Sequence, residues 1–375
     1  MEHSIKIVIG ANYGDEGKGL MSRYFTKEFG GAVTVFHNGS AQRGHTVDYE
    51  DGTRHVFHNF AAGTKDGGTT YYADTFLVHP MDFCREAREL GFVPKVSCSP
   101  NCLVVTPFDM LADHIIEDHI AALKGTREYG SCGYGTWSAT DRAKERPDLA
   151  FSLSDIILSD YGRTTEALRE WVISRLGTFG VNLDRVPSWK HFFEPNDAAY
   201  MRMCANFRDD LMFFLRSVEL RSFDDIWREN KSIIFEGAQG LLLDKDRDGI
   251  WNTTSNTGLK NPYMLLSDKT DFHAEVCYVS RSYVTRHGDG PLDQEIRKEE
   301  IGEELFDKTN VFNQFQGNLR YAKLPKNAMG KEIESDFRTA DSERYELTVA
   351  YTHCNEHDID GGDYRSYSPT KVTKV

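Results

Sequence analysis

Nowhere in the chain do about 18 apolar residues follow one another, so the sequence offers no helix able to span a membrane. The opening residues, MEHSIKIVIG, hold no basic segment ahead of a long apolar core, and no secretory leader is expected. Basic residues are the minority: Lys and Arg number 44 against 58 Asp and Glu, a net charge of −14. Such a chain can bind nucleotides at a local basic site, but a surface that wraps duplex nucleic acid is not expected. Cysteine is also sparse. Cys84, Cys98, Cys102, Cys132, Cys204, Cys277 and Cys354 are odd in number and scattered, which fits reduced thiols in a cytoplasmic protein. Only Cys98 and Cys102 lie close, and no second Cys or His pair at ligand spacing completes a zinc site. Small molecules remain as the expected partners, without nucleic acid or membrane.

What is present is ordinary globular composition, with 39% hydrophobic and 27% charged residues. A length of 375 residues allows two or three domains, or one large α/β domain. Ile5–Ile9 is a short β-branched run ending at Gly10, which predicts a buried strand. A glycine-rich loop follows to Gly19, then a helical pattern over Leu20–Phe29 and a second strand over Ala32–Phe36. Strand, loop, helix, strand opens a nucleotide-binding α/β fold. Further helices are predicted over Pro80–Leu90, Met110–Leu123, Ser154–Leu176 and Asn196–Val218. Further strands are predicted over Cys102–Thr106, Lys231–Phe235, Val276–Tyr283 and Glu346–Tyr351. Leu324–Arg344 is charged and weakly patterned and reads as a surface excursion. No repeat, low-complexity segment or linker divides the chain. The expectation is an α/β fold with a mostly parallel central sheet, a P-loop-like phosphate-binding loop and surrounding helices. Residues 1–375 then form one large domain with a mainly helical excursion at about 110–220.

The loop Gly14-Asp-Glu-Gly-Lys-Gly19 carries the first chemical signal. Backbone N–H groups in a glycine-rich turn and a helix N-terminus attract phosphate, and Lys18 adds a cation. It is not a standard P-loop: position 12 is Asn and position 19 is Gly, so the metal-binding hydroxyl is missing. Asp15 and Glu16 stand where phosphate would repel them, unless a carboxylate there holds Mg²⁺ or removes a proton. A plain glycine turn with a solvated acidic tip is the other reading.

This loop followed by Gly44-His45-Thr46 resembles adenylosuccinate synthetase. Further matches occur in order: Gly130-Ser-Cys-Gly133, Phe235-Glu-Gly-Ala-Gln-Gly-Leu-Leu-Leu-Asp244, Thr253-Thr-Ser-Asn-Thr257, Thr285-Arg-His-Gly-Asp-Gly-Pro291 and Gln316-Gly-Asn-Leu-Arg-Tyr321. That family removes the N1 proton of a 6-oxopurine nucleotide and phosphorylates its 6-oxygen from a nucleoside triphosphate. The amine of aspartate then displaces the phosphate. The resemblance implies Asp15 as base and Mg²⁺ ligand, with the Gly44 carbonyl as a second metal contact. It implies His45 as general acid, Lys18 as the cation on the transferred phosphoryl group, and Gln239 at the 6-oxygen. Donor-nucleotide contacts fall on Asn12, Gly14, Glu16, Gly17, Gly19, Thr46, Asn355 and Pro369. The monophosphate and aspartate fall to Gln42, Ser131, Cys132, Arg146, Thr253, His287, Gln316, Gly317, Asn318 and Arg320. Arg146 aligns with an arginine that reaches the partner subunit's site, which implies a homodimer; a solvated helix charge is its plain alternative.

Three departures bear on substrates. Asn355 stands where the family has an aspartate that accepts two donors from guanine. A carboxamide both donates and accepts, which matches N1 and the 6-amino group of adenine and points to ATP. A strand-end turn residue is the alternative. Asn318 replaces an arginine near the ribose 2′-hydroxyl, so a deoxynucleotide would lose less there. His287 replaces a small apolar residue and can hydrogen-bond or stack. Together with a chain shorter than most of the family, these features resemble its viral branch. The expectation is a ligase joining L-aspartate to dGMP with ATP and Mg²⁺. Ordinary adenylosuccinate synthesis from IMP with GTP is the alternative.

Overall fold

The computed structural model describes residues 2–125, 133–158, 160–249, 251–302, 317–340 and 343–375. In chain order its strands are β1 (His3–Gly10), β2 (Val33–Phe36), β3 (His45–Asp48), β4 (Arg54–Phe57), β5 (Thr69–Tyr72), β6 (Val96–Cys98), β7 (Val218–Leu220) and β8 (Ser232–Glu236). They continue with β9 (Phe272–Arg281), β10 (Val284–His287), β11 (Glu295–Ile296), β12 (Leu319–Ala322), β13 (Tyr345–Thr352), β14 (Tyr364–Ser368) and β15 (Lys371–Lys374). The helices are α1 (Lys18–Phe29), α2 (Pro80–Leu90), α3 (Pro107–Lys124), α4 (Thr136–Glu145), α5 (Leu153–Leu158), α6 (Tyr161–Thr178), α7 (Pro187–Lys190), α8 (Ala198–Ser217), α9 (Phe223–Glu229), α10 (Lys260–Leu266) and α11 (Lys326–Phe337).

Ten strands form one sheet in the order β15-β14-β13-β9-β1-β8-β2-β5-β6-β7. Every pairing in it is parallel except β14 with β15. Parallel strands are covered on both faces, and the sequence of β1 shows why it sits centrally. Ile5, Ile7 and Ile9 point to one face and join Val35, Phe235, Val276 and Tyr278 in the largest core cluster. Val8 points to the other face, against Met21 and Phe25 of α1. Lys6 shares that second face, and its charge is neutralised by Glu275 of β9 at 2.7 Å. From residue 107 to 217 the described elements are helical. Phe108, Ile116, Trp171 and Leu176 give these helices a cluster of their own.

Several expected elements shift. The strand expected at Cys102–Thr106 is reduced to single bridges at Leu103 and Val104, because Thr106 already caps α3 and Pro107 has no N–H to pair. The helix expected over Ser154–Leu176 is two helices, the second restarted by the Asp160 side chain as N-cap. Leu324–Arg344 is no mere surface excursion. It contains α11, whose Met329 and Ile333, four residues apart on one helix face, enter the main core. Two apolar residues in a polar helix leave too faint a periodic signal to read.

Candidate active site

A cleft of about 430 Å³ opens at the carboxyl ends of β1, β9 and β13. This is where open parallel sheets place their ligands. Its floor is the turn between β1 and α1. Gly14, Asp15 and Gly17 all adopt left-handed backbone there (φ 97, 57 and 92), a conformation that glycine takes freely and aspartate tolerates.

Glu16 folds back into its own loop. Its Oε1 accepts the backbone N–H of Asn12 (3.0 Å) and Gly14 (2.9 Å), while Oε2 accepts Lys18 Nζ (2.9 Å). A carboxylate thus fills a nest of N–H groups of the kind that elsewhere receives phosphate. Gly10 makes room for it, since a methyl there would lie 2.5 Å from Glu16 Oε2. The loop is further tied to β13, whose Thr352 hydroxyl donates to the Glu16 carbonyl at 2.7 Å.

Asp15 rises from this loop toward the cleft. Its carbonyl accepts Arg281 Nε at 2.6 Å, and its carboxylate Oδ2 meets His287 Nδ1 at 2.9 Å. Burial by itself would raise the Asp15 carboxyl. The hydrogen bond and charge of His287, with Arg281 and Lys18, hold it below the usual carboxylate range. Asp15 is therefore ionised at neutral pH.

His45 opens β3 on the opposite wall. Its Nδ1 is 2.7 Å from Glu236 Oε1, at the end of β8, and Arg43 Nη2 donates to the same carboxylate oxygen at 3.0 Å. All three side chains are buried. Burial, then the Arg43 charge, pushes the imidazole down to about 4 against the pull of Glu236. Burial works to raise Glu236, and His45 and Arg43 outweigh it. With Nδ1 committed to Glu236, Nε2 is the nitrogen able to face a ligand. A negative oxygen there would favour the imidazolium.

The carbonyl oxygens of the Gln42 and Gln239 side chains are buried without a hydrogen-bond partner among the described residues. Buried acceptors of that kind call for a donor. Gln239 also holds a left-handed backbone, φ 63, before Gly240. Toward the carboxyl end of β13 the cleft is walled by Asn355, Glu356, Ser368 and Pro369. Glu356, the neighbouring carboxylate, is engaged by the Tyr283 hydroxyl.

The cleft thus gathers Gly14, Asp15, Glu16, Gly17, Lys18, Gly19, Gln42, Gly44, His45, Thr46, Gln239, His287, Asn355 and Pro369. It does not gather the rest. Asn12 lies behind the loop, donating to Ser280 of β9. Thr253 is half-buried and bonds through its backbone to Leu243. Arg146 is exposed beyond α4 and pairs with Asp148. Gly317 and Asn318 precede β12 outside the cleft lining, and Arg320 forks onto Glu295 of β11 instead of facing the cleft. Ser131, Cys132 and Gln316 fall outside the described residues. Sequence reasoning passed over Arg43, Glu236, Arg281 and Thr352. The signal for Glu236 was available: a carboxylate closing a buried apolar strand needs a buried partner.

A profile of the family described as adenylosuccinate synthetase matches residues 7–321. The chain belongs to the adenylosuccinate synthetase family. The enzyme of that name from Psychrobacter sp. is 27% identical over 331 residues, covering 84% of this chain and 70% of its own. That of Picrophilus torridus is 26% identical over 302 residues, covering 79% and 66%. Two solved structures share the fold. Fully ligated adenylosuccinate synthetase from Plasmodium falciparum gives a TM-score of 0.65 at 18% identity, covering 94% of this chain and 77% of its own. Succinoaminodeoxyadenylate synthetase from cyanophage S-2L, bound to dGMP and to dATP as energy donor, gives 0.65 at 16% identity, covering 100% and 96%. The family makes this chain a carbon–nitrogen ligase that joins aspartate to a purine nucleotide, using Mg²⁺ and a nucleoside triphosphate.

Proposed function

We propose that this ligase joins L-aspartate to the 6-position of dGMP with ATP, giving 2-amino-2′-deoxy-N6-succinyladenylate, ADP and phosphate. Asp15 accepts the N1 proton, and the 6-oxygen so charged attacks the γ-phosphorus of ATP. Lys18 and His45 stabilise the charge that develops on the phosphoryl oxygens and the 6-oxygen. The amine of aspartate then displaces the 6-phosphate and loses a proton. Asp15 and Gly44 line one cleft and offer hard oxygen donors, a set that fits Mg²⁺. The ion would neutralise phosphate charge at that wall.

The observation that carries the choice of donor is Asn355, a carboxamide on the cleft wall whose carboxylate neighbour Glu356 is already engaged by Tyr283. The fold shared with a phage synthetase that binds dGMP supports the choice of acceptor. IMP with GTP is the second reading, favoured by the names of the sequence relatives. Phosphate release with aspartate and Mg²⁺, crossing dGMP, GMP and IMP with ATP and GTP, separates the two. Turnover mainly with IMP and GTP would overturn the proposal. Within it, Asn355→Asp is expected to move the ratio of ATP to GTP efficiency by roughly tenfold or more toward GTP, the value of one charged hydrogen bond. An unchanged ratio would remove the donor assignment. We further propose a homodimer in which Arg146 serves the partner's cleft, because it lies outside the cleft of its own chain. Light scattering that gave a monomer under turnover conditions would contradict this.

A further inference from the structure

The contact between His287 and Asp15 joins two parts of the molecule that the sequence resemblance treats separately. Asp15 sits on a loop of left-handed residues, where a side chain has little to hold it. His287 sits at the end of β10, which pairs antiparallel with β12 through Arg286 opposite Arg320 and His287 opposite Leu319. β12 pairs in turn with β11. A side chain on a paired strand is a firmer support than one on a loop. The His287 side chain is 15% exposed and that of Asp15 28%, so their contact lies at the inner wall of the cleft.

A carboxylate can only accept a hydrogen bond, so His287 Nδ1 carries the proton shared with Oδ2. That bond restrains the rotation of the carboxyl group, and Oδ2 alone is taken by it. Arg281 fixes the other end of the residue through its carbonyl. The same histidine is one of the positions where this chain departs from the small apolar residue that the resemblance implies. An apolar side chain could pack there but could not hold the carboxylate.

We propose that His287 is a positioning residue that locks the Asp15 carboxylate in its working orientation, rather than a contact for the purine or ribose. The inference rests on Asp15 acting as the base of the proposed reaction. Its test compares His287→Ala, His287→Val and His287→Asn in the full-length protein, using whichever nucleotide pair the native chain turns over. The asparagine amide can donate from nearly the same place as Nδ1. His287→Ala and His287→Val are expected to lower kcat by roughly tenfold to hundredfold, the scale of a misplaced catalytic group. KM for the purine nucleotide should stay within a factor of about three, and His287→Asn should recover most of kcat.

A kcat unaffected by His287→Ala, a loss confined to KM, or an asparagine variant no better than alanine would each overturn the proposal. A readout independent of turnover is the downfield imidazole N–H proton resonance. It is expected to vanish in His287→Ala and to move upfield in Asp15→Asn. If that resonance is insensitive to Asp15→Asn, the contact is not formed and the inference fails. If it responds while the native chain turns over no purine nucleotide, the positioning stands and the proposed reaction fails.

Discussion

Replacing Asp15 by asparagine is expected to lower turnover by roughly 10³-fold or more, the upper range for losing a general base. The protein should remain folded. Asparagine keeps the size of the side chain and accepts the left-handed backbone that residue 15 holds at φ 57. It cannot accept the N1 proton, and its amide would be a poorer oxygen donor to Mg²⁺. Asp15→Ala should be as inactive but less stable, because alanine is strained at that backbone and strips His287 of its partner. The decisive pair of measurements is phosphate release alongside thermal unfolding. An asparagine variant within about tenfold of the native rate would remove Asp15 from the chemistry.

The second large effect is on stability in acid. His37 and His79 are buried, and burial pushes them down to about 3 and about 4 respectively. For His37 the nearby Arg43 adds to the shift; for His79 the carboxylate of Asp82 opposes it. A histidine that stays neutral in the folded chain but takes a proton near its ordinary pKa of 6.5 when unfolded favours unfolding as pH falls. The stability each contributes is intact above about 6.5. It drains at about 1.4 kcal/mol per pH unit down to about 4 for His79 and about 3 for His37. Against a total of roughly 5–15 kcal/mol, the two together should bring the protein close to unfolding in that window.

His79 provides the control. Its Nδ1 accepts the backbone N–H of Asp82 at 3.2 Å and so caps α2. Asparagine caps as well or better and does not titrate. His79→Asn should therefore flatten the fall in urea midpoint between pH 6.5 and 4. A parallel curve would show that acid instability arises elsewhere.

The sequence and the structure agree best where local chemistry is repeated by many neighbours. β1, the glycine loop and α1 were legible because a buried run, four glycines and a helical pattern all point to one arrangement. α2 was legible from proline at its start and glycine after its end. Short parallel strands such as β5 to β7 were not, since three or four residues carry no periodicity and owe their pairing to neighbours far along the chain. The same holds for the site. Asp15, Lys18 and His45 lie in motifs that declare themselves. Glu16, by contrast, read as a residue aimed at the ligand and instead closes its own loop. Arg43 gains meaning only once β8 is brought beside it, and Thr352 only once β13 is brought beside the glycine loop.

The bond from Thr352 to the loop links two strand ends to which the proposed reaction gives different duties. Asp15 and Lys18, proposed to act in the transfer, follow β1, and Asn355, proposed to meet the donor base, follows β13, with β9 lying between the two strands. Three positions beyond Thr352, Asn355 can be exchanged without disturbing any contact of the loop. On the proposed reading of Asn355, the nucleotide that drives the reaction can therefore be changed at one strand tip while the neighbouring loop keeps its contacts.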